Sequence, residues 1–222
     1  AEHNKALRKK TDWLNGKNFR DLHFSGPDTD LKVGLADDHE WMGGASQAQN
    51  GVICNPNIPS EEVFTTPHYL RVEGHVSSTK PLSHQGSLID EIRVVFKEGA
   101  IVDAKASKGE KIFQKVLESD DGARRLGEVA LVPDSSPISQ SGLLFYNTLF
   151  DENAACHIAL GQCYSKCFKS EKILSQEEIK SKGGNSSMIH IDWMIGSKEI
   201  DIDGLSQDGE ITPIFRKGEW CV

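Results

Sequence analysis

Apolar and polar residues alternate with a period of two along much of this chain. From residue 68 the stretches YLRVEGHVSS, LIDEIRVVFKEG and AIVDAKAS read as three strands, the last two joined around Glu98-Gly99. Upstream, FRDLHF and DLKVGL alternate in the same way. The SGPDT between them has turn chemistry, so the pair predicts a hairpin. GEVALVP is a strand stopped by Pro133, and LLFYN a further short apolar strand. MIHIDWMIG, EIDIDG and an extended run to Val222 complete the set. Helical spacing is rarer. Residues 2–15 place Leu7, Trp13 and Leu14 in a mixed-charge helix ended by Gly16, and residues 109–118 place Ile112, Val116 and Leu117 on one side. DENAACHIALGQCYSKCF predicts a helix capped by Asp151 or Asn153, and SQEEIKSKGG a capped helix closed by glycines. Residues 36–60, rich in Gly, Asn and Pro, predict a long loop, and loops of that length are commonly functional. Strands outnumber helices without alternating regularly with them. The expected class is α+β: a mainly antiparallel sheet with packed helices.

Composition narrows the function classes. With 37% hydrophobic and 26% charged residues, the 222-residue chain reads as globular and soluble, with enough length for a sizeable core. The net charge of −8 argues against a nucleic-acid partner, since phosphate binding wants a basic face. No apolar run approaches the length of a membrane span, so no membrane partner is expected. The five cysteines lack the spacing of a disulfide framework, and free thiols in a reducing cytoplasm are the simplest account.

Several polar residues sit oddly in apolar surroundings. His190 and Asp192 are two apart on a strand, so they share a face, either as half-exposed surface or as the floor of a pocket. Glu128 lies within the apolar GEVALV, and a buried carboxylate needs a cation, a metal or a solvated strand end. His157, read on a helix, has Tyr164 two turns along the same face. It is a core histidine or a ligand. Ser60 followed by Glu61 and Glu62 fits a helix start or an acidic pair with a chemical role. Asp37, Asp38, His39 and Glu40 crowd one loop and read as solvated side chains rather than ligands. Cys156, Cys163 and Cys167 lack zinc-site spacing and read as buried or inert. No Gly-x-Ser-x-Gly, phosphate loop or His-Glu-x-x-His is present.

The order of NIPSEEVFTTP, RRLGEVALVP, FDENAACHIALG, GGNSSMIHIDWMIG and the closing DG and GEW segments resembles the M29 family of metallo-aminopeptidases, of the thermophilic aminopeptidase and aminopeptidase S/T type. The resemblance runs over nearly the whole chain. It implies metal ligands at Glu62, Glu128, His157, His190 and Asp192, and an active-site tyrosine at Tyr164. Glu61, with Glu62 second, is the expected proton acceptor. Three carboxylates and two imidazoles exceed one tetrahedral zinc and suit two divalent ions, Zn²⁺, Co²⁺ or Mn²⁺. Family enzymes are considerably longer and carry an N-terminal α/β region. The resemblance therefore makes residues 1–222 the C-terminal, metal-binding catalytic half of a two-domain enzyme. The implied partners are a peptide with a free N-terminus and a second copy in a cytoplasmic homodimer. A metal-binding and dimerisation module, inactive without the other half, is the alternative. A di-metal phosphoesterase is weaker, because few basic residues lie near the expected ligands.

Overall fold

The computed structural model describes residues 2–222. In chain order the elements begin with α1 (Glu2–Lys17), β1 (Asp21–Gly26), β2 (Thr29–Leu35), β3 (Ser46–Gln47), β4 (Ile53–Cys54), β5 (Val63–Thr65), β6 (Pro67–Ser77), β7 (Leu82–His84), β8 (Ser87–Ile89), β9 (Arg93–Lys97) and β10 (Ala100–Lys105). Then follow α2 (Glu110–Leu117), β11 (Leu126–Leu131), α3 (Pro137–Ser141), α4 (Thr148–Asp151), a 3₁₀ turn (Glu152–Ala154), β12 (His157–Gly161), α5 (Gln176–Ser181), β13 (His190–Met194), β14 (Asp201–Leu205), β15 (Ile211–Arg216) and β16 (Glu219–Trp220). The larger sheet has eight strands in the order β10-β9-β6-β2-β1-β14-β15-β16, and the smaller has four, β13-β12-β11-β5. All pairings in both sheets are antiparallel, which gives the mainly antiparallel α+β architecture read from the sequence.

Alternation places the core. Leu31 and Val33 of β2 are fully buried while Asp30 and Lys32 between them are exposed. One cluster joins Leu22, Val33 and Ile202 of the large sheet to Val129, Ile158 and Trp193 of the small one, so the two sheets share a core. Helix α2 buries Phe113, Val116 and Leu117, spaced three and four apart on one face. Helix α5 opens on a capping box, with the Ser175 side chain bonded to the Glu178 N–H and the Glu178 side chain to the Ser175 N–H.

Two sequence expectations are corrected. The segment DENAACHIALGQCYSKCF is not one helix. It is the last residue of α4, a 3₁₀ turn, strand β12 and a turn beyond it. β12 is buried at all five positions, because it lies inside the small sheet between β11 and β13. A strand covered on both faces carries no alternation, and its apolar run matches a buried helix equally well. The cap is Asn147, whose side chain accepts from the Leu149 N–H, rather than Asp151 or Asn153. LLFYN forms no strand either. It leads into that cap with Leu143, Phe145 and Tyr146 exposed.

Candidate metal centre

The small sheet is arranged around a row of paired residues. Ala159 of β12 stands opposite Glu128 of β11 on one side and Asp192 of β13 on the other. Directly paired residues of an antiparallel sheet point to the same face. Both carboxylates therefore flank a methyl group, with no side chain large enough to separate them. One row away Gly161 stands opposite His190, and in the other direction Ala130 and Met194 flank His157. Gly161 has φ +101°, and a Cβ there would lie 2.1 Å from the Ile189 carbonyl oxygen, so the position admits glycine alone. Ile158, Trp193 and Val129 occupy the opposite face and hold the sheet in the core.

Two further carboxylates arrive from outside this pattern. Glu62 immediately precedes β5, the edge strand next to β11. Glu152 comes from the 3₁₀ turn before β12 and is buried. Asn153 links these approaches: its side-chain oxygen accepts from the Glu61 N–H at 2.7 Å, and its amide donates to the Leu149 carbonyl at 3.0 Å. The resulting side chains fall into three trios, each with ligand atoms within 4.8 Å of one another: Glu62, Glu128 and His157; Glu128, His190 and Asp192; Glu152, His157 and Asp192. Glu128, His157 and Asp192 each belong to two trios.

The imidazoles are aimed. His190 Nδ1 donates to the Gln162 carbonyl at 2.7 Å and His157 Nδ1 to the Ala155 carbonyl at 3.2 Å, which turns both Nε2 atoms inward. His157 Nε2 lies 3.1 Å from Glu62 Oε2, and His190 Nε2 lies 3.2 Å from Glu128 Oε2 and 3.3 Å from Asp192 Oδ1. Yet Glu62 Oε2 and both Nε2 atoms are buried without an aligned hydrogen bond. Ligand atoms that crowd together but point at a common space, rather than at each other, fit a cation between them. Four carboxylates and two imidazoles are a donor set for borderline divalent ions.

Electrostatics agree with that fit. Burial pushes the Glu128 carboxyl up to about 7, against the pull of His190, and that of Glu152 up to about 8, against the pull of His157. Burial also opposes charge on the histidines, but contact with Glu62 and neighbouring carboxylates lifts His157 to about 10, and Asp192 with Glu128 lifts His190 to about 11. All four values are raised, so at neutral and alkaline pH the metal-free folded chain holds more protons than the unfolded one. Its stability therefore falls as pH climbs, first past the ordinary carboxylate range and then on through the raised histidine values. Asp192 is shifted down despite its burial, chiefly by His190, so its contribution is lost only in acid. Ligands must shed protons to bind metal, so metal removes this slope. The chelator-stripped protein is expected to melt at lower temperature at about pH 9 than at about pH 6, and the metal-loaded protein to lose that decline. Calorimetric melting across that range checks this, and a flat profile in the stripped protein contradicts it.

The expected residues are not all brought together. Glu62, Glu128, His157, His190 and Asp192 converge, whereas Glu61 does not. Its carboxylate lies 3.8 Å from His3 Nε2, and Glu61 is not among the residues that line the pocket above the cluster. Tyr164 does reach the pocket, but from a turn rather than from a helix face shared with His157. Its ring centroid is 4.9 Å from that of His190. Glu152 joins this group although the reading of DENAA as a helix start does not single it out. An acid between apolar Phe150 and Ala154–Ala155 was its only signal. Asp37, Asp38, His39 and Glu40 form no ligand group among the described residues: Asp38 pairs with Lys182, and His39 Nδ1 bonds the Ala36 carbonyl at 2.9 Å. All five cysteines are free, and Cys156, Cys163 and Cys167 are buried.

The cluster opens into a pocket of about 590 Å³, with Met42, Pro56, Phe64 and Leu149 among its apolar walls and Lys166 as a cationic one. A buried set of carboxylates and imidazoles with its own substrate-sized pocket defines a protein built to use divalent metal. The chain belongs to the M29 peptidase family, described as thermophilic metalloprotease (M29), which it matches over residues 1–220. It is 52% identical over 220 residues to aminopeptidase T of Thermus thermophilus, covering 99% of this chain and 53% of that protein. It is 48% identical over 221 residues to aminopeptidase PepS of Streptococcus thermophilus, covering 100% of this chain and 54% of that protein. The solved structure of wild-type AmpT from Thermus thermophilus superposes with a TM-score of 0.95 at 51% identity, covering 100% of this chain and 54% of that one. The chain thus spans about half the length of the curated relatives it matches.

Proposed function

We propose that this chain is the C-terminal, metal-binding catalytic half of an aminopeptidase that releases N-terminal residues from peptides. The observation that supports it most is the convergence of four buried carboxylates and two inward-turned imidazoles at the mouth of a substrate-sized pocket. We assign Glu62, Glu128, Glu152, His157, His190 and Asp192 as the residues that would hold two divalent ions, Zn²⁺, Co²⁺ or Mn²⁺. When bound, such ions polarise the scissile carbonyl and acidify water. Glu62, rather than Glu61, which does not line the pocket, is the carboxylate we assign to carry a proton from water to the leaving amine. Tyr164 keeps its phenolic proton, since burial and the surrounding carboxylates push its pKa up, and it donates to the oxygen on which charge develops. The pocket's apolar walls exclude water and seat the substrate side chain. A cytoplasmic setting accords with five free cysteines. For a homodimer, the exposed Leu143 and Tyr146 offer surface that a second copy would cover.

Because the chain spans about half of its relatives' length, a second reading has its own support: this half binds metal but cleaves nothing until the other half completes the chamber. An aminoacyl arylamide assay separates the two. The full-length protein is expected to release the arylamine, to lose that activity on chelation and to regain it with Zn²⁺, Co²⁺ or Mn²⁺. Activity that survives metal removal contradicts the proposal. Metal binding by residues 1–222 without turnover favours the second reading.

A further inference from the structure

Lys166 stands apart from the cluster chemistry. It lines the same pocket as Glu62, Glu128, Glu152 and Asp192 and, His190 aside, is the cationic side chain of that lining. Among the described residues no carboxylate holds it in an ion pair. Its backbone is nevertheless fixed. The Cys167 N–H donates to the Tyr164 carbonyl at 3.1 Å, closing a four-residue turn with Ser165 and Lys166 at its tip. Both ends of the turn are anchored. The Thr66 hydroxyl donates to the Tyr164 carbonyl at 3.4 Å, Cys167 is fully buried, and its carbonyl accepts from the Glu40 N–H at 2.9 Å. Tyr164 is wedged between Phe64, 5.7 Å away by ring centroids, and His190. One anchored turn therefore sets Tyr164 and Lys166, both still open to solvent, along the lining of the same pocket.

We propose that Lys166 binds the terminal carboxylate of a short peptide, so that dipeptides with a free C-terminus are preferred substrates of this site. The proposal rests on the aminopeptidase reading above. A peptide whose amine and scissile bond sit at the cluster puts its next backbone carbonyl carbon only one residue further on, about 3.5 Å at full extension. In a dipeptide that carbon is the carboxylate, and it falls within the pocket rather than in solvent. Two divalent ions offset the four carboxylates of the cluster, and Lys166 is then the uncompensated charge on the wall. Without it, an anionic end would enter a partly desolvated, acid-lined pocket with no partner. With it, the carboxylate gains a charge-assisted hydrogen bond, and a flexible ammonium suits ends placed at slightly different depths.

The test compares a dipeptide with its C-terminal amide in the full-length, metal-loaded protein. The preference for the free acid, taken as the ratio of the two kcat/KM values, is expected to fall by about 10- to 100-fold in Lys166→Met, mainly through KM. Lys166→Arg should restore part of it. Calorimetric binding of a reduced-bond dipeptide analogue and its amide, neither of which is cleaved, is expected to show the same loss of preference. An unchanged ratio in both measurements overturns the proposal, as does an equal loss on acid and amide, which would mean that Lys166 only moderates the charge of the cluster. Failure of the unsubstituted protein to cleave any arylamide would contradict the aminopeptidase reading instead, and the binding comparison would still decide the role of Lys166.

Discussion

Glu128→Ala in the full-length protein is expected to lower arylamide turnover by about 1,000-fold or more and to remove at least one metal equivalent. The size follows from the position of Glu128 in two of the three ligand trios, opposite Ala159 at the centre of the small sheet. Losing a residue shared between trios disturbs both, and the transition-state stabilisation that metal supplies amounts to several kcal/mol. The fold should not suffer. Without metal, Glu128 is a buried acid beside Glu62 and Asp192, and burial holds its carboxyl far above its ordinary range. Its removal relieves that burial cost and the repulsion from Glu62 and Asp192, which offsets the lost contact with His190, so the chelator-stripped variant should melt no lower than the stripped parent. Activity lost while apo stability is kept or raised is the mark of a group retained for function rather than folding. Steady-state kinetics, metal analysis and melting of the stripped proteins check the three parts. A variant that keeps both metal and activity removes Glu128 from the site.

The largest effect on stability is expected one residue beyond a ligand. Trp193 is fully buried on β13, opposite Ile158, with its side chain on the core face while Asp192 faces the pocket. Among the described residues its indole N–H has no hydrogen-bond partner, so the side chain is held by packing. Trp193→Ala should lower the unfolding free energy by about 3–5 kcal/mol through lost contacts and the cavity left behind. Trp193→Phe, which keeps most of the contacts, should cost clearly less. Because β13 also carries His190 and Asp192, the alanine variant should bind metal more weakly as well. Denaturant unfolding of the metal-free proteins measures the first effect, and a loss below about 1 kcal/mol would show that Trp193 is not the packing centre proposed for it.

The sequence showed most of the strand framework, because the strands of the large sheet are covered on one face and keep their alternation. Asp30 and Lys32 between Leu31 and Val33 are legible as polar-out, apolar-in. The small sheet is different. β11 and β12 are buried at every position, so LGEVAL and HIALG show composition without period. GEVALV still read as a strand, being rich in β-branched residues and ended by Pro133. HIALG follows alanines and read as helix. The helical reading also misplaces Tyr164 relative to His157. Two turns of helix would have aligned it with His157, whereas the chain reverses after Gly161 and brings it against His190.

The convergence at the candidate metal centre is legible only in part. Glu62, Glu128, His157, His190 and Asp192 came from ordered motifs and their likeness to a family, since nothing local ties Glu62 to His190. Glu152 depended on the 3₁₀ turn, which aims an acid inward from a stretch that resembles a helix start. The sequence reading puts Glu61 before Glu62, with nothing local to distinguish them, whereas their placement is set by remote residues: His3 on α1 and Asn153 beside Glu152. Gly161 is legible as a small residue near His157, but Ala159 and Ala130 carry no such signal, although their small size lets ligands on neighbouring strands meet.

The central claim is that these six side chains hold two divalent ions, and counting metal tests it most directly. Elemental analysis of the purified full-length protein, equilibrated with Zn²⁺, Co²⁺ or Mn²⁺ and freed of excess, is expected to give two equivalents per chain. A protein that retains none after the same treatment would contradict the account.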